Sequence, residues 1–321
     1  MNAIIALGAF LALALAGFLL PGWLVFLAVV GFAKGLVALG LILLMRGGLV
    51  SFGQGLFYCA GAYAAGLAMR YGAIGDAALL VASGAVVALV LALVIAPLLA
   101  GYRGIFFATL TLALSMIAYG ILNKTYVLGG SDGINLRAPS FFGYQPPNSA
   151  MANYALFLFT SAIVAVIAAL MRRHFDSMSG LLSLAMRDNE IRAEYLGASP
   201  RRVTVANFLV AAGLGGAGGA LAALALGHID PEFAFWTTSG EFVFLAILAG
   251  HASIAAVFLA SLLLELVRSF SSQYFPNSWQ MALGIFLLLV ILFLPQGLGS
   301  LLRRRRKPRE LPIASRAEAP P

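Results

Sequence analysis

Long apolar stretches, separated by short polar or glycine- and proline-containing breaks, follow one another along almost the whole chain. A stretch of about 20 apolar residues lets a helix cross the roughly 30 Å of hydrocarbon in a bilayer. We therefore predict an all-α fold, a polytopic integral membrane helical bundle of about ten spans. The predicted spans are 3–20, 23–44, 49–69, 76–100, 104–122, 153–171, 203–227, 233–250, 253–270 and 279–294. The first run carries no basic leader, so we expect it to be retained as a span.

The distribution of basic residues predicts how the bundle is oriented. Arg46, Arg103, six basic residues between positions 172 and 202, and the arginines at 303–306 fall in breaks on one predicted side. Cytoplasmic loops of membrane proteins carry an excess of lysine and arginine. Ten spans then place both termini in the cytoplasm, together with the loop at 172–202.

The remaining segments complete the predicted organisation. The transmembrane domain covers 1–302, and its longest outward-facing loop, 123–153, contains glycine- and proline-rich turns. Residues 303–321 are rich in proline and charge, so we expect a disordered basic cytoplasmic tail. One alternative stays open: residues 233–270 could form a single long helix, which would make the number of spans odd.

Composition agrees with insertion in a membrane. Hydrophobic residues make up 62% of the chain and charged residues 10%, with a mean hydropathy of +0.98, whereas an ordinary soluble domain is about 25% charged. The net charge of +8 lies mostly beside spans, which favours contact with anionic lipid over nucleic acid. Cys59 is the single cysteine, and His174, His228 and His251 occupy separate predicted loops. No disulfide framework and no metal site are therefore expected.

The longest polar interruption, residues 184–197, has the pattern of a short amphipathic helix. Ile191 and Tyr195 are four residues apart, on one helical face, and Asp188 and Arg192 have the spacing of an ion pair. The alternative is a solvated cytoplasmic loop, and the pattern alone does not decide between the two. Gly197 is suited to end this helix. Ser199 and Pro200 then have the character of an N-cap and first residue of the next helix.

The stretch AMRDNEIRAEYLG, from Ala185 to Gly197, resembles the coupling-helix segment of bacterial ABC importer permeases, and more closely that of the LivM-type subunit of branched-chain amino acid importers. The resemblance implies that this segment docks on a cytoplasmic ATPase. The implied coupling residues are Arg187, Asp188, Glu190, Ile191, Glu194, Tyr195, Leu196 and Gly197. It also implies a bacterial cytoplasmic (inner) membrane location and a set of partners: a second, LivH-type permease, two ATPase subunits and a periplasmic binding protein.

Weaker resemblances to the same family extend from about residue 36 to 299. They include GLVSFGQ at 48–54, TLTL at 109–112, the glycine turn at 129–133, and Asp230-Pro231. By this resemblance, the residues that line the translocation pathway would include Ser51, Gln54, Thr109, Thr111 and Glu241. The chain departs from the family pattern at Ile42, at Met116 and around His251, near the expected pathway. Urea or short amides therefore stand as alternative solutes beside branched-chain and other amino acids.

No Walker-type phosphate-binding loop occurs in the sequence. We therefore expect the chain to bind no cofactor, with ATP and Mg²⁺ bound by partner subunits. Asp188, Glu190 and Glu194 cluster, but a mixed-charge helix without a convergent pocket predicts docking rather than acid–base catalysis. No catalytic residue is assigned, and an intramembrane enzyme is the weakest of the alternatives.

Four ionisable residues fall inside predicted spans, where charge is costly and usually functional. Glu265 and Arg268 are three residues apart, so we expect a local pair. Lys34 could neutralise a carboxylate or extend to the membrane surface, and the sequence does not decide between them. Glu241, Glu265 or Lys34 could serve as a charged relay, which gives a second hypothesis, an ion-coupled secondary transporter.

Overall fold

The computed structural model of the chain describes residues 8, 17–195, 197–250, 253–294 and 297–302. Most of the predicted first span, Leu196, His251 and the predicted tail at 303–321 lie outside the described residues. The helices are α1 Gly22–Arg46, α2 Gln54–Tyr71, α3 Ala77–Leu99, α4 Gly104–Lys124, α5 Ser149–Phe175, α6 Met178–Asp188, α7 Glu190–Tyr195, α8 Pro200–Leu226, α9 Trp236–Ala249, α10 Ile254–Tyr274, α11 Trp279–Phe293 and α12 Gly299–Leu302. Two short strands, β1 Ile134–Asn135 and β2 His228–Ile229, pair antiparallel.

Six helices in the described part of the chain are long and apolar enough to cross a membrane: α1, α3, α4, α5, α8 and α10. They coincide with six of the predicted spans. Helix α1 is buried along most of its length, whereas α3 and α4 expose many large apolar side chains, as helices that face lipid do. The protein is therefore a multi-pass helical membrane protein, while the expected number of ten spans is not confirmed.

Three predicted spans correspond to shorter or less apolar helices. Helix α2 begins at Gln54 rather than at residue 49, because the chain turns at Gly48 (φ 77°) and the backbone N–H of Phe52 donates to Thr111 Oγ1. Helix α9 has only 14 residues, because a 3₁₀ turn at Pro231–Ala234 occupies the start of the predicted span. Helix α11 has 15 residues.

The region 233–270 is divided into two helices rather than one. Helix α9 ends at Ala249, and Gly250 follows with a φ of 70°, a backbone conformation that a continuing α-helix does not permit. Helix α10 then begins at Ile254. The single long helix considered as an alternative is therefore not formed.

Helix α8 is the central packing element of the bundle and lies against α1, α2 and α3. Its glycines permit this close approach: Gly216 lies against the backbone of Gly61 in α2 and of Gly84 in α3, where a Cβ would clash. Gly218 and Gly219 approach the backbones of α1 and α2 in the same way. Small residues join helices in lipid by packing, since the hydrophobic effect is absent there.

Contacts between loops define two ends of the bundle. At one end, Arg103 contacts Glu190, and a Cβ on Gly48 would lie 3.7 Å from the Cα of Arg187. At the other end, β1 pairs with β2, and Asp76 forms a bridge to Ser140. The breaks at 46–48 and 101–103 and the loop 172–202, which were predicted to share one side, therefore share one end.

Candidate functional site

The predicted coupling segment folds as two short helices instead of one. Helix α6 ends at Asp188, and Asn189 is extended (φ −161°) before α7 begins at Glu190. The Asn189 side chain accepts a 2.8 Å hydrogen bond from the backbone N–H of Arg192, the contact that makes asparagine a good N-cap. The expected pairing of Asp188 with Arg192 was wrong, because the two residues do not share a helix and form no ion pair.

Glu190 braces this segment against the bundle. Its carboxylate accepts two hydrogen bonds from Arg103, of 3.0 Å from Nε and 2.6 Å from Nη2. The same guanidinium donates to the carbonyl oxygens of Ala100 and Tyr102. Such a two-bond contact fixes orientation as well as distance. Glu190 therefore forms an ion pair within the chain and holds α7 against the bundle. Its position in the polar stretch did not indicate this role.

Two large side chains project from α7 into the open. The Ile191 side chain is 65% exposed and that of Tyr195 is 88% exposed, whereas Ala193 between them is buried at 2%. Among the other predicted coupling residues, Arg187, Asp188 and Glu194 are also exposed, and Leu196 lies outside the described residues. Helix α7 thus presents an apolar pair with a charged border, a composition typical of a docking surface.

The connection from α7 to α8 is short, and two backbone hydrogen bonds close its start. Gly197 has a φ of 85°, its N–H donates to Glu194 O at 2.8 Å, and Ala198 N–H donates to Ala193 O at 3.1 Å. These are the two bonds of a Schellman C-cap. Ser199 occupies the predicted N-cap position of α8 but makes no side-chain capping bond, and Pro200 is the first residue of the helix, as predicted. The link between the exposed Tyr195 and the first residue of α8 is therefore four residues long, 196–199.

Helix α6 is joined to α8 by a buried polar contact. Asn207 Nδ2 in α8 donates to Ser183 Oγ in α6 at 2.8 Å. Both side chains are buried. The two helices α6 and α7 are therefore attached to α8 at two levels, α7 through the chain connection and α6 through this bond.

Inside the bundle, three of the predicted pathway residues come together. Ser51 Oγ accepts from Gly53 N–H at 3.2 Å, and Thr111 Oγ1 accepts from Phe52 N–H at 3.1 Å. Gln54, next in the chain, is 1% exposed, and neither its amide nitrogen nor its oxygen has a partner. A buried polar group without a partner costs about 1–3 kcal/mol. Thr109, in contrast, is exposed and donates to carbonyl oxygens of its own helix.

Two serines that the sequence reasoning did not single out extend this polar group. Ser115 Oγ donates to Ala234 O at 2.7 Å, and Ser239 Oγ accepts from Gly55 N–H at 3.1 Å. Both are fully buried. Thr111 and Ser115 are four residues apart on α4, and this one-face spacing was the signal that could have found Ser115.

The Ser115 contact holds the segment 227–235, which joins α8 to α9 and contains β2 and the 3₁₀ turn but no α-helix. Within this segment Asp230 Oδ1 is buried without a partner, as is the nearby Tyr63 hydroxyl of α2. Broken helices with polar groups of this kind form the solute sites of many transporters.

The buried polar side chains of the preceding paragraphs form one group, which we call the polar seam: Ser51, Gln54, Thr111, Ser115 and Ser239.

The four charged residues inside the spans form one network across three helices. Lys34 Nζ in α1 lies 2.8 Å from Glu265 Oε2 in α10 and 3.5 Å from Glu241 Oε2 in α9. Arg268 pairs with Glu241 at 2.8 Å. The expected local pair of Glu265 with Arg268 was wrong, because each finds an oppositely charged group on another helix. Lys34 neutralises carboxylates, and Glu241, a predicted pathway residue, belongs to this network.

In the part of the chain that the structure describes, no group of three or more histidine, cysteine, aspartate or glutamate side chains is placed to hold a metal ion. The polar seam consists of hydroxyl and amide groups, which hydrogen-bond a solute or water but supply no general base. The arrangement is suited to binding and passage of a polar solute.

Comparison with known proteins places these features in a family. The profile described as "Branched-chain amino acid transport system / permease component" matches residues 23–294. Two curated proteins, each named high-affinity branched-chain amino acid transport system permease protein LivM, are similar to the chain: those of Escherichia coli (strain K12) and Salmonella typhimurium (strain LT2). Each is 30% identical over 281 residues, which cover 81% of this chain and 66% of the relative. No solved structure matches the chain significantly.

Proposed function

Because this chain belongs to the family of branched-chain amino acid transport permease components, we propose that it is the membrane permease subunit of an ABC importer. The solute is a small polar molecule, with branched-chain or other amino acids first. Separate ATPase subunits bind ATP and Mg²⁺ and supply the energy. The chain itself opens and closes the path and performs no bond chemistry.

The observation that carries this proposal is the geometry of α7. A six-residue helix presents Ile191 and Tyr195 outward, while the Arg103–Glu190 contact fixes its inner side to the start of α4. A motor subunit that gripped the exposed pair would displace α7 as a unit. The capped connection at Gly197 would pass that displacement to α8, and α8 packs against α1, α2 and α3.

The same proposal assigns sides and partners. The end that carries Arg46, Arg103 and residues 172–202 faces the cytoplasm of a bacterium, where two ATPase subunits bind. The opposite end, with the loop 123–153, meets the periplasmic binding protein. A second permease subunit completes the assembly. Ten spans with both termini inside remain the proposed topology, in which the first span and the shorter helices α2, α9 and α11 complete the count.

The solute path runs along the polar seam. The unpaired Gln54 Oε1 of the seam and the unpaired Asp230 Oδ1 beyond it are acceptors that a solute with N–H groups satisfies. The ion-coupled alternative gains no support, since Lys34, Glu241, Glu265 and Arg268 are all paired with one another. Urea and short amides carry N–H donors, as an amino acid does, so these two acceptors do not distinguish the solutes. A transport measurement decides between them.

The experiment is an ATPase assay of the full assembly, reconstituted with its binding protein and amino acids, urea or acetamide. We expect Ile191→Asp with Tyr195→Asp to lower solute-stimulated ATP hydrolysis at least about tenfold, because two apolar anchors of an interface are lost. Met178→Asp, at an exposed apolar residue at the start of α6, is the matched control and retains stimulation. Full stimulation in the double variant would refute the docking assignment.

Exchanging the charges of Arg103 and Glu190 tests the contact between them separately. Arg103→Glu alone removes stimulation, because it places two carboxylates together, and combining it with Glu190→Arg restores a large part of the loss. If the swapped pair stays as inactive as the single variant, the contact does not position α7. In the ATPase assay of the unaltered assembly, stimulation of ATP hydrolysis by urea or acetamide and not by amino acids would support an importer with a different solute.

A further inference from the structure

A cavity of about 350 Å³ lies at the basic end of the bundle, between the last two turns of α1, the end of α5 and the start of α10. Its volume is within the range of small-ligand sites, about 300–1,000 Å³. Neither the coupling segment nor the polar seam contributes a residue to its lining. It is therefore separate from the features that support the proposed function.

Two arginines give the cavity its charge. Arg46 and Arg172 both line it, and neither forms an ion pair with a described residue. Arg46 Nε is buried without any hydrogen-bond partner, and the guanidinium lies over the ring of Phe175 at 4.3 Å from its centroid. Asp176 is the one carboxylate among the lining residues, so the lining carries a net positive charge. The stacked ring fixes the guanidinium while its N–H donors remain available.

The rest of the lining is divided between polar and apolar groups. Ser253, Ile254 and Ala255 contribute the start of α10, and the Ser253 side chain makes no capping bond. The N-terminal end of a helix adds favourable potential for an anion beside the arginines. Ile42 and Val257 form an apolar wall that continues into the hydrophobic core. A ligand with an anionic head and an apolar body matches this division.

We propose that this cavity binds a phosphate group through Arg46 and Arg172. The apolar wall favours the headgroup of an anionic phospholipid as its source, and free phosphate shares the chemistry of the head. Arginine binds phosphate oxygens with charge-assisted hydrogen bonds, often two at a time. Basic pockets between membrane helices are a recurring form of lipid headgroup site.

The test measures the thermal unfolding midpoint of the full-length protein in detergent against ligand concentration, since a ligand of the folded state raises the midpoint. The probes are a short-chain phosphatidylglycerol, the matching phosphatidylcholine and inorganic phosphate, all at constant ionic strength. We expect saturable stabilisation by phosphatidylglycerol at lower concentration than by phosphatidylcholine. Arg46→Gln should raise the half-saturating concentration about tenfold or more, the loss expected for a charged hydrogen bond.

Two further variants separate binding from folding. Ala255→Glu places a carboxylate in the exposed first turn of α10, where it suits the helix but repels the ligand, so binding is lost without destabilisation. Arg173→Gln is the control, because Arg173 follows Arg172 in the chain but does not line the cavity, and this variant binds as the unaltered protein does. Stabilisation by inorganic phosphate alone, lost in Arg46→Gln and Ala255→Glu, supports the site with free phosphate as its source. Equal half-saturating concentrations in unaltered protein and both variants, for every probe, overturn the proposal.

Discussion

Polar residues inside the bundle are of two kinds, paired and unpaired. Lys34 and Glu265 are 14% and 12% exposed and neutralise each other at 2.8 Å. Gln54 is more deeply buried, yet both ends of its amide lack partners. The paired residues hold α1 and α10 together, whereas the unpaired amide reduces stability in this conformation. An unpaired group is therefore the better candidate for a residue that binds a passing solute.

Replacing Lys34 with methionine should destabilise the protein strongly, because Glu265 is then left buried without its cation. Breaking a buried ion pair by removing one partner costs roughly 3–5 kcal/mol. Thermal unfolding of the purified protein measures the loss, with Lys124→Met at the exposed end of α4 as the control. Adding Glu265→Gln to Lys34→Met should recover part of the loss. An unfolding midpoint unchanged by Lys34→Met would show that the pair contributes nothing.

Replacing Gln54 with leucine should separate stability from transport. Leucine fills a similar volume without an unsatisfied amide, so the free energy of unfolding should be unchanged or rise by about 1 kcal/mol. Solute uptake by the reconstituted importer should fall, because the acceptor is gone. Gln273→Leu, at an exposed position near the end of α10, is the matched control. Normal uptake by the Gln54 variant would exclude this residue from the path.

Among the helices, α8 connects the coupling segment to the interior. Its first residue follows the cap at Gly197, and its middle third packs backbone to backbone on α1, α2 and α3. Where helices meet through backbone atoms, no long side chains have to separate before one helix can move along another. The glycine pattern is therefore compatible with tight packing and with displacement of α8 as a rigid unit.

A pair of glycine substitutions in α8 tests this packing. Gly216→Ala should destabilise the protein by about 1–3 kcal/mol, the cost of overpacking, because its Cβ would meet the backbone of Gly84 and the Cβ of Ala88. Gly213→Ala meets only the flexible Leu89 side chain at 3.4 Å and gains helix propensity, so it should be neutral or stabilising by up to about 1 kcal/mol. Denaturation in detergent compares the two. Equal stabilities would mean that α8 relaxes away from α3.

Over the whole molecule, the loops group into two ends with different composition. The end that carries Arg46, Arg103 and the coupling segment is basic, and Arg103–Glu190 ties its loops together. The opposite end is held by the β1–β2 pair, which joins the long 123–153 loop to the broken segment at 227–235. The polar seam lies between these two ends. In the proposed importer, motion at α7 and access from the opposite loop would therefore act on the same bundle.

Accessibility labelling tests this two-ended arrangement. Cys59 is the single cysteine and is buried, so the unaltered protein should not react with a membrane-impermeant maleimide. Arg187→Cys should react only from the cytoplasmic side and Asn148→Cys only from the periplasmic side. Intact cells and inside-out vesicles give the two readings. Labelling of Arg187→Cys from outside would place the coupling segment beyond the reach of any ATPase and end the importer hypothesis.

Local rules in the sequence determined much of this protein. Hydropathy alone located the six long apolar helices, because a run of apolar residues in lipid must satisfy its backbone within a helix. Gly197 and Pro200 were correctly placed at the end of α7 and the start of α8, since helix ends depend mainly on neighbouring residues. The motifs of residues 185–197 indicated the family that the comparisons then showed.

Only the tertiary structure decided which distant residues meet. Arg103 binds Glu190, 87 positions away, and Lys34 binds Glu265, 231 positions away. No pattern of spacing along the chain encodes such pairs, and local spacing wrongly suggested Asp188 with Arg192 and Glu265 with Arg268. The reason is physical: a charge in a low-dielectric bundle is stabilised by whichever opposite charge the packing of helices brings closest, regardless of its position along the chain.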